Sequence, residues 1–160
     1  MPIEDIHEFI SELEKNGELK RVKTAVDSEL EIAEIMRREM YSDGPAILFE
    51  NVKGFDMPVL GNAFGSMKRL EIGLEMTDFT EIGKRITDMT KMDVPSGLLN
   101  KIKKLPELSK MTASFPKSEI KGPVTEITSS DASFDDLPIL KSWPDDAGRF
   151  ITLGLVATKH

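Results

Sequence analysis

The chain has 160 residues, 28 acidic against 21 basic, a formal net charge of −7 and no cysteine. Such a length fits one domain, or one domain and the start of another, and can hide roughly 70% of its unfolded surface without a disulfide staple. The missing cysteines exclude disulfides, thiolate catalysis and Cys-based zinc or iron–sulfur sites, and the negative charge repels a phosphate backbone, so no nucleic-acid partner is expected.

The first element is a helix. Ile3, Ile6, Phe9-Ile10 and Leu13 recur at helical spacing, Pro2 suits a first position and Gly17 a stop. Leu19 to Val22 reads as a short strand. Ser28 and Glu31 have the spacing of a capping box, opening a second helix with Ile32, Ile35-Met36 and Met40 on its apolar stripe. Gly44-Pro45 ends it. Ala46–Phe49 and Met57–Leu60 follow as neighbouring strands, with Asn51-Val52-Lys53-Gly54 as the turn between them. Both helices are expected over one face of the resulting sheet.

A further helix is expected with Thr77 or Asp78 as its cap and Phe79, Ile82, Ile86 and Met89 on one face, then a short one over Leu98–Ile102. Six of the nine prolines fall at or after Pro95, which predicts short elements joined by stiff, extended connections. The lysine-rich run from Lys101 to Lys121 lacks interleaved aromatic rings and reads as solvated surface. A boundary is expected near Met111 to Pro123, beyond which Val124–Thr128 and Phe150–Thr158 are β-like. Trp143-Pro144-Asp145-Asp146 forms an acidic turn into that last strand, and the Trp143 ring is expected to plug the seam between the two parts. A strand whose neighbours are missing pairs with Val124–Thr128, pairs with a second copy, or stays poorly ordered, so the chain reads as a piece of something larger.

Two stretches carry a resemblance. Pro45 to Asn62, with Phe64-Gly65, is similar to the N-terminal signature of the UbiD family of (de)carboxylases. Leu137 to Thr158 resembles the entry into that family's flavin-binding domain. Gly17-Glu18-Leu19-Lys20-Arg21-Val22 and Glu31-Ile32-Ala33-Glu34-Ile35 also fit, so the likeness covers the whole chain, as an N-terminal portion of longer relatives. The expected fold class is therefore α+β: a small mixed sheet covered by helices in residues 1–112. Residues 113–160 would be a linker and the first strands of a β-rich, split-barrel-like flavin-binding domain.

The resemblance implies a carboxy-lyase that uses prenylated FMN with a divalent metal (Mn²⁺) and K⁺ to decarboxylate an unsaturated or aromatic acid reversibly. The substrate would be of the polyprenyl-hydroxybenzoate type or the archaeal anhydromevalonate-phosphate type. It also implies a homo-oligomeric whole enzyme. The family's metal-binding segment and its Glu-Arg-Glu network lie downstream in relatives and have no counterpart here, so these residues alone are expected to be inactive. A non-catalytic module packed on a separate catalytic subunit is the rival reading. Within the resemblance Thr152 is close to the flavin, and by alternation it shares a face with Gly154. Taken without the resemblance, it reads as an ordinary strand threonine.

Other candidates read as structural. His7 lies on the polar side of the first helix and His160 at the end of the chain, with no second histidine at ligand spacing. Asp135-Asp136 and Asp145-Asp146 are turn signals. Gly61-Asn62-Ala63-Phe64-Gly65 lacks the spacing of a dinucleotide fingerprint or a P-loop and reads as a tight strand-to-helix connection. No metal ligand or catalytic residue is assigned. No basic-then-apolar leader follows Met1 and no apolar run approaches a membrane span, so the cytoplasm is the expected location.

Overall fold

A computed structural model describes residues 3–76, 78, 80–90, 122 and 126–152. They fall into two compact units, one of Met1–Phe79 with Ala132–His160 and one of Thr80–Asp131. The first unit holds helix α1 (Ile6–Lys15), strand β1 (Leu19–Val22), helix α2 (Glu31–Tyr41), strands β2 (Ala46–Phe49) and β3 (Val59–Gly61), and helix α3 (Met67–Leu74). In the second, helix α4 spans Thr80–Thr90. Ile86 of α4 is exposed. The fold is α+β.

The sheet has the order β1-β2-β3, with β1 parallel and β3 antiparallel to the central strand. The expected neighbours, β2 and β3, pair through Ile47–Gly61, Leu48–Leu60 and Phe49–Val59. A parallel pair requires a crossover, and α2 supplies it between β1 and β2. All four residues of β2 are buried. Because successive side chains point to opposite faces, such a strand needs cover on both sides.

That requirement corrects the placement of the helices. Phe9 and Leu13 of α1 pack with Ala46, Leu19, Leu60 and, from α3, Ile72. Ile32, Ile35 and Met36 of α2 pack with Ile47, Phe49, Val22 and Val59. Residues 46 and 47 alternate, so α1 and α2 lie on opposite faces. A stripe on a helix records that it is buried, whereas the uninterrupted Ala-Ile-Leu-Phe run is the part of the sequence that demands two layers.

The helix ends follow local chemistry. Asp5 caps α1 by accepting from the amides of His7 (2.8 Å) and Glu8 (2.9 Å), and Gly17 takes φ +70° just after the helix. The start of α2 differs from the expected Ser28–Glu31 box. Leu30 precedes the helix at φ +66° with no side-chain cap, while the Glu31 carboxylate accepts from the amide of Asp27 (2.7 Å). Ser28 is buried, and its carbonyl is taken by the amide of Lys141 (3.2 Å).

The remaining expected strands are absent where the structure describes their residues. Glu126–Thr128 form no strand, and Val124 and Thr125 lie outside the described residues, as do Leu98–Ile102 and the boundary region apart from Gly122. Of the terminal segment, Phe150 to Thr152 are in no strand, and Leu153–Thr158 lie outside the described residues. Among the described residues no helix is long and apolar enough to cross a membrane.

Candidate functional site

The C-terminal part of the first unit is a strap laid against the start of α2. Lys141 forms an isolated parallel bridge with Glu29: its amide donates to Ser28 and its carbonyl accepts from the amide of Leu30 (2.9 Å). The Lys141 ammonium lies 3.2 Å from the Glu29 carboxylate. Leu140, half-buried, packs against the Val26–Ile32–Phe49 cluster. Asp146 then folds the next turn by accepting from the amides of Ser142 (3.3 Å) and Trp143 (3.0 Å). The amide of Phe150 returns to the carbonyl of Leu140 (3.1 Å), and the Arg149 guanidinium sits 5.5 Å over the Phe55 ring.

Between this strap and the outer face of α2 lies an open groove of about 730 Å³. Trp143 and Pro144 form one side, and Ala33, Met36, Arg37 and Met40 the other. Trp143 is 63% exposed, so the ring does not plug a seam; it stands beside this groove. The groove's charged edge is internally compensated. Glu34 accepts from Arg37 (2.6 Å) and Arg38 (2.7 Å), and these two bonds, Arg37 first, hold its carboxyl down to about 2. Arg37 also stacks 5.6 Å over Tyr41.

All but one of the candidate residues fall among the described residues. Thr152 is exposed at the edge of the described residues. His7 is exposed on α1, and His160 lies outside the described residues. Asp135 and Asp136 belong to a 3₁₀ turn (Phe134–Asp136) capped reciprocally by Ser133 and Asp136. Asn62 at φ +51° makes the strand-to-helix turn, its amide donating to the carbonyls of Gly44 and Pro45 (3.1 Å each). Among the described residues no three His, Asp or Glu side chains come together as a metal site.

One feature escaped sequence reasoning. Arg69, in the first turn of α3, is only 1% exposed and pairs with Glu18 at 3.0 Å, while Lys68 reaches the same carboxylate at 2.9 Å. Its Nε has no hydrogen-bond partner among the described residues. Arginine is seldom fully buried, and neither spacing nor composition marks this one.

The chain matches two models of one family. Residues 10–87 match the 3-octaprenyl-4-hydroxybenzoate carboxy-lyase N-terminal domain, and residues 116–160 match the Rift-related domain of the same carboxy-lyase. The chain belongs to the UbiD family, as an N-terminal portion of it. It is 46% identical over 158 residues to an uncharacterized protein of Aquifex aeolicus, and 42% identical over 159 residues to one of Archaeoglobus fulgidus. These alignments cover 97% and 99% of this chain but 32% of each relative, so the chain spans about a third of their length. Among solved structures, the closed form of the vanillic acid decarboxylase of Sedimentibacter hydroxybenzoicus is similar over 59% of this chain and 21% of its own, at 30% identity and TM-score 0.49. The UbiD-class enzyme HmfF of Pelotomaculum thermopropionicum, in an evolved dimeric form with prFMN, is similar over 56% of this chain and 20% of its own, at 27% identity and TM-score 0.46.

Proposed function

We propose that this chain is the N-terminal region of a prenylated-FMN-dependent decarboxylase that interconverts an unsaturated or aromatic acid with its decarboxylated product and CO₂. The observation that carries the reading is the order of the two family matches, an N-terminal domain followed by a Rift-related domain of one carboxy-lyase. In this reading residues 1–112 are the N-terminal domain, and residues 113–160 are the linker and first strands of the flavin-binding domain. The substrate is a conjugated acid of the polyprenyl-hydroxybenzoate or anhydromevalonate-phosphate type, and the whole enzyme is a cytoplasmic homo-oligomer.

The prenylated flavin, when bound, supplies an electron sink for the charge left on carbon as CO₂ departs. This chain's own contribution is positional: Thr152 offers an exposed hydroxyl to the cofactor's wall. One hydroxyl does not hold a flavin. Among the described residues no carboxylate or imidazole cluster stands ready for Mn²⁺.

The test uses the gene product carrying this sequence, as encoded, reconstituted with prenylated FMN, Mn²⁺ and K⁺. It is expected to release CO₂ from at least one of a panel of unsaturated and aromatic acids. Thr152→Val is expected to weaken flavin binding about ten-fold, the scale of one lost hydrogen bond. Residues 1–160 alone are expected to bind flavin weakly and turn nothing over. A flavin-loaded protein inert towards the whole panel would favour the non-catalytic module instead.

A further inference from the structure

We propose that residues 137–150 act as a latch: a strap that detaches from α2 as a unit while the three-stranded sheet and its helices stay folded. Beyond the half-buried run Leu137–Ile139, the strap is held at two places. The first is Leu140-Lys141, where two backbone hydrogen bonds flank Glu29, one half-buried leucine reaches the core, and an ion pair with a half-exposed glutamate adds little. The second is Arg149, whose guanidinium lies over Phe55. Between them the strap closes on itself through Asp146 and through the Phe150–Leu140 hydrogen bond, so it is a self-contained loop.

The sheet beneath is held differently. Ala46, Ile47, Phe49, Leu13 and Ile32 are at most 1% exposed, and each belongs to a cluster built without strap residues beyond Leu140. Segments with few buried contacts open at lower free energy than a packed sheet. Opening has two local consequences. The amide of Leu30 loses its acceptor at a helix start that has no side-chain cap, and the groove loses the side formed by Trp143 and Pro144. The latch therefore couples the order of the α2 N-terminus to the existence of the groove.

Amide hydrogen exchange on the 160-residue chain, repeated across low urea concentrations, tests this. The strap is reported by the amides of Leu30 and Lys141, and the sheet by those of Ala46, Glu50 and Val26, all hydrogen-bonded in the folded chain. The two strap amides are expected to exchange together, faster than the sheet amides and almost independently of urea, whereas the sheet amides accelerate with urea. Leu13→Ala, in a cluster that holds no strap residue, is expected to speed exchange of the sheet amides by at least about ten-fold and leave the strap amides unchanged. The proposal fails if Lys141 and Leu30 share the protection and urea slope of Ala46 in the unmodified chain, or if Leu13→Ala accelerates both sets alike. The unmodified chain alone decides the matter should that variant not fold.

Discussion

Residues 46–49 and residues 137–150 are both rich in apolar side chains and meet opposite fates. Ala46-Ile47-Leu48-Phe49 is buried throughout, whereas Leu137 to Leu140 are half-covered and Trp143 and Phe150 stand in solvent. The difference is the number of neighbours. The central strand has a partner on each edge and helices on each face, while the strap bridges one short stretch before α2, lends Leu140 to the edge of the core and reaches the Phe55 ring. Apolar sequence supplies the incentive to bury, and topology decides whether there is anything to bury against.

The comparison breaks most visibly at Phe49. Phe49→Ala should cost about 3–5 kcal/mol, whereas Phe150→Ala should stay within about 0.5 kcal/mol. Urea unfolding followed by far-ultraviolet circular dichroism measures both, and equal losses would contradict the contrast drawn here. Next in size is Arg69→Ala, expected to cost about 2–3 kcal/mol because it leaves Glu18 with one partner and opens a void. Arg69→Met, which refills the volume, should cost less, since a buried ion pair is weak evidence for stability. Arg69→Met costing more than Arg69→Ala would overturn that account.

A smaller effect depends on pH. The Glu18 carboxyl is held below its ordinary 4.5 by the hydrogen bond from Lys68, with Arg69 adding to the effect and partial burial opposing it. With the folded value below the unfolded one, its stabilising contribution is complete at neutral pH. It declines as pH falls through 4.5 and is gone below the folded value. Glu18→Gln should therefore lower the urea midpoint at about pH 7, and its gap to the parent should narrow as pH falls below 4.5. A gap that widens in acid would reverse the sign. The smallest change in stability belongs to Ile151→Lys, at an exposed position, with a cost within about 0.5 kcal/mol. Its readout is association: sedimentation across a concentration series should show less self-assembly than the parent, and identical profiles would remove Ile151 from any contact between copies.

Much of the first unit was legible because its elements are short and their signals local. The spacing of Phe9 and Leu13, the stop at Gly17 and the Ala46–Phe49 run need no distant information. The opposite placement of α1 and α2 was implicit in that run, but reading it requires taking a strand's two faces separately. The start of α2 was misread because Ser28 is engaged by Lys141, more than a hundred residues away, and no local pattern records such a pairing. Buried Arg69 was hidden for a similar reason, since its burial comes from the way α3 closes on Glu18. Thr152 owes its candidacy to the family resemblance, and its exposed position is compatible with an ordinary surface threonine as well.

The chain has one tryptophan, and it stands at the lip of the groove, 63% exposed. Its indole emission therefore reports on a single place in the molecule. In the free chain that light should be red-shifted and readily quenched by acrylamide. Anything that settles into the groove, whether a further stretch of a longer polypeptide or a partner, would shift the emission to the blue and shield it from the quencher. The protein thus carries a built-in optical probe of whatever covers α2, and no label needs to be attached to use it.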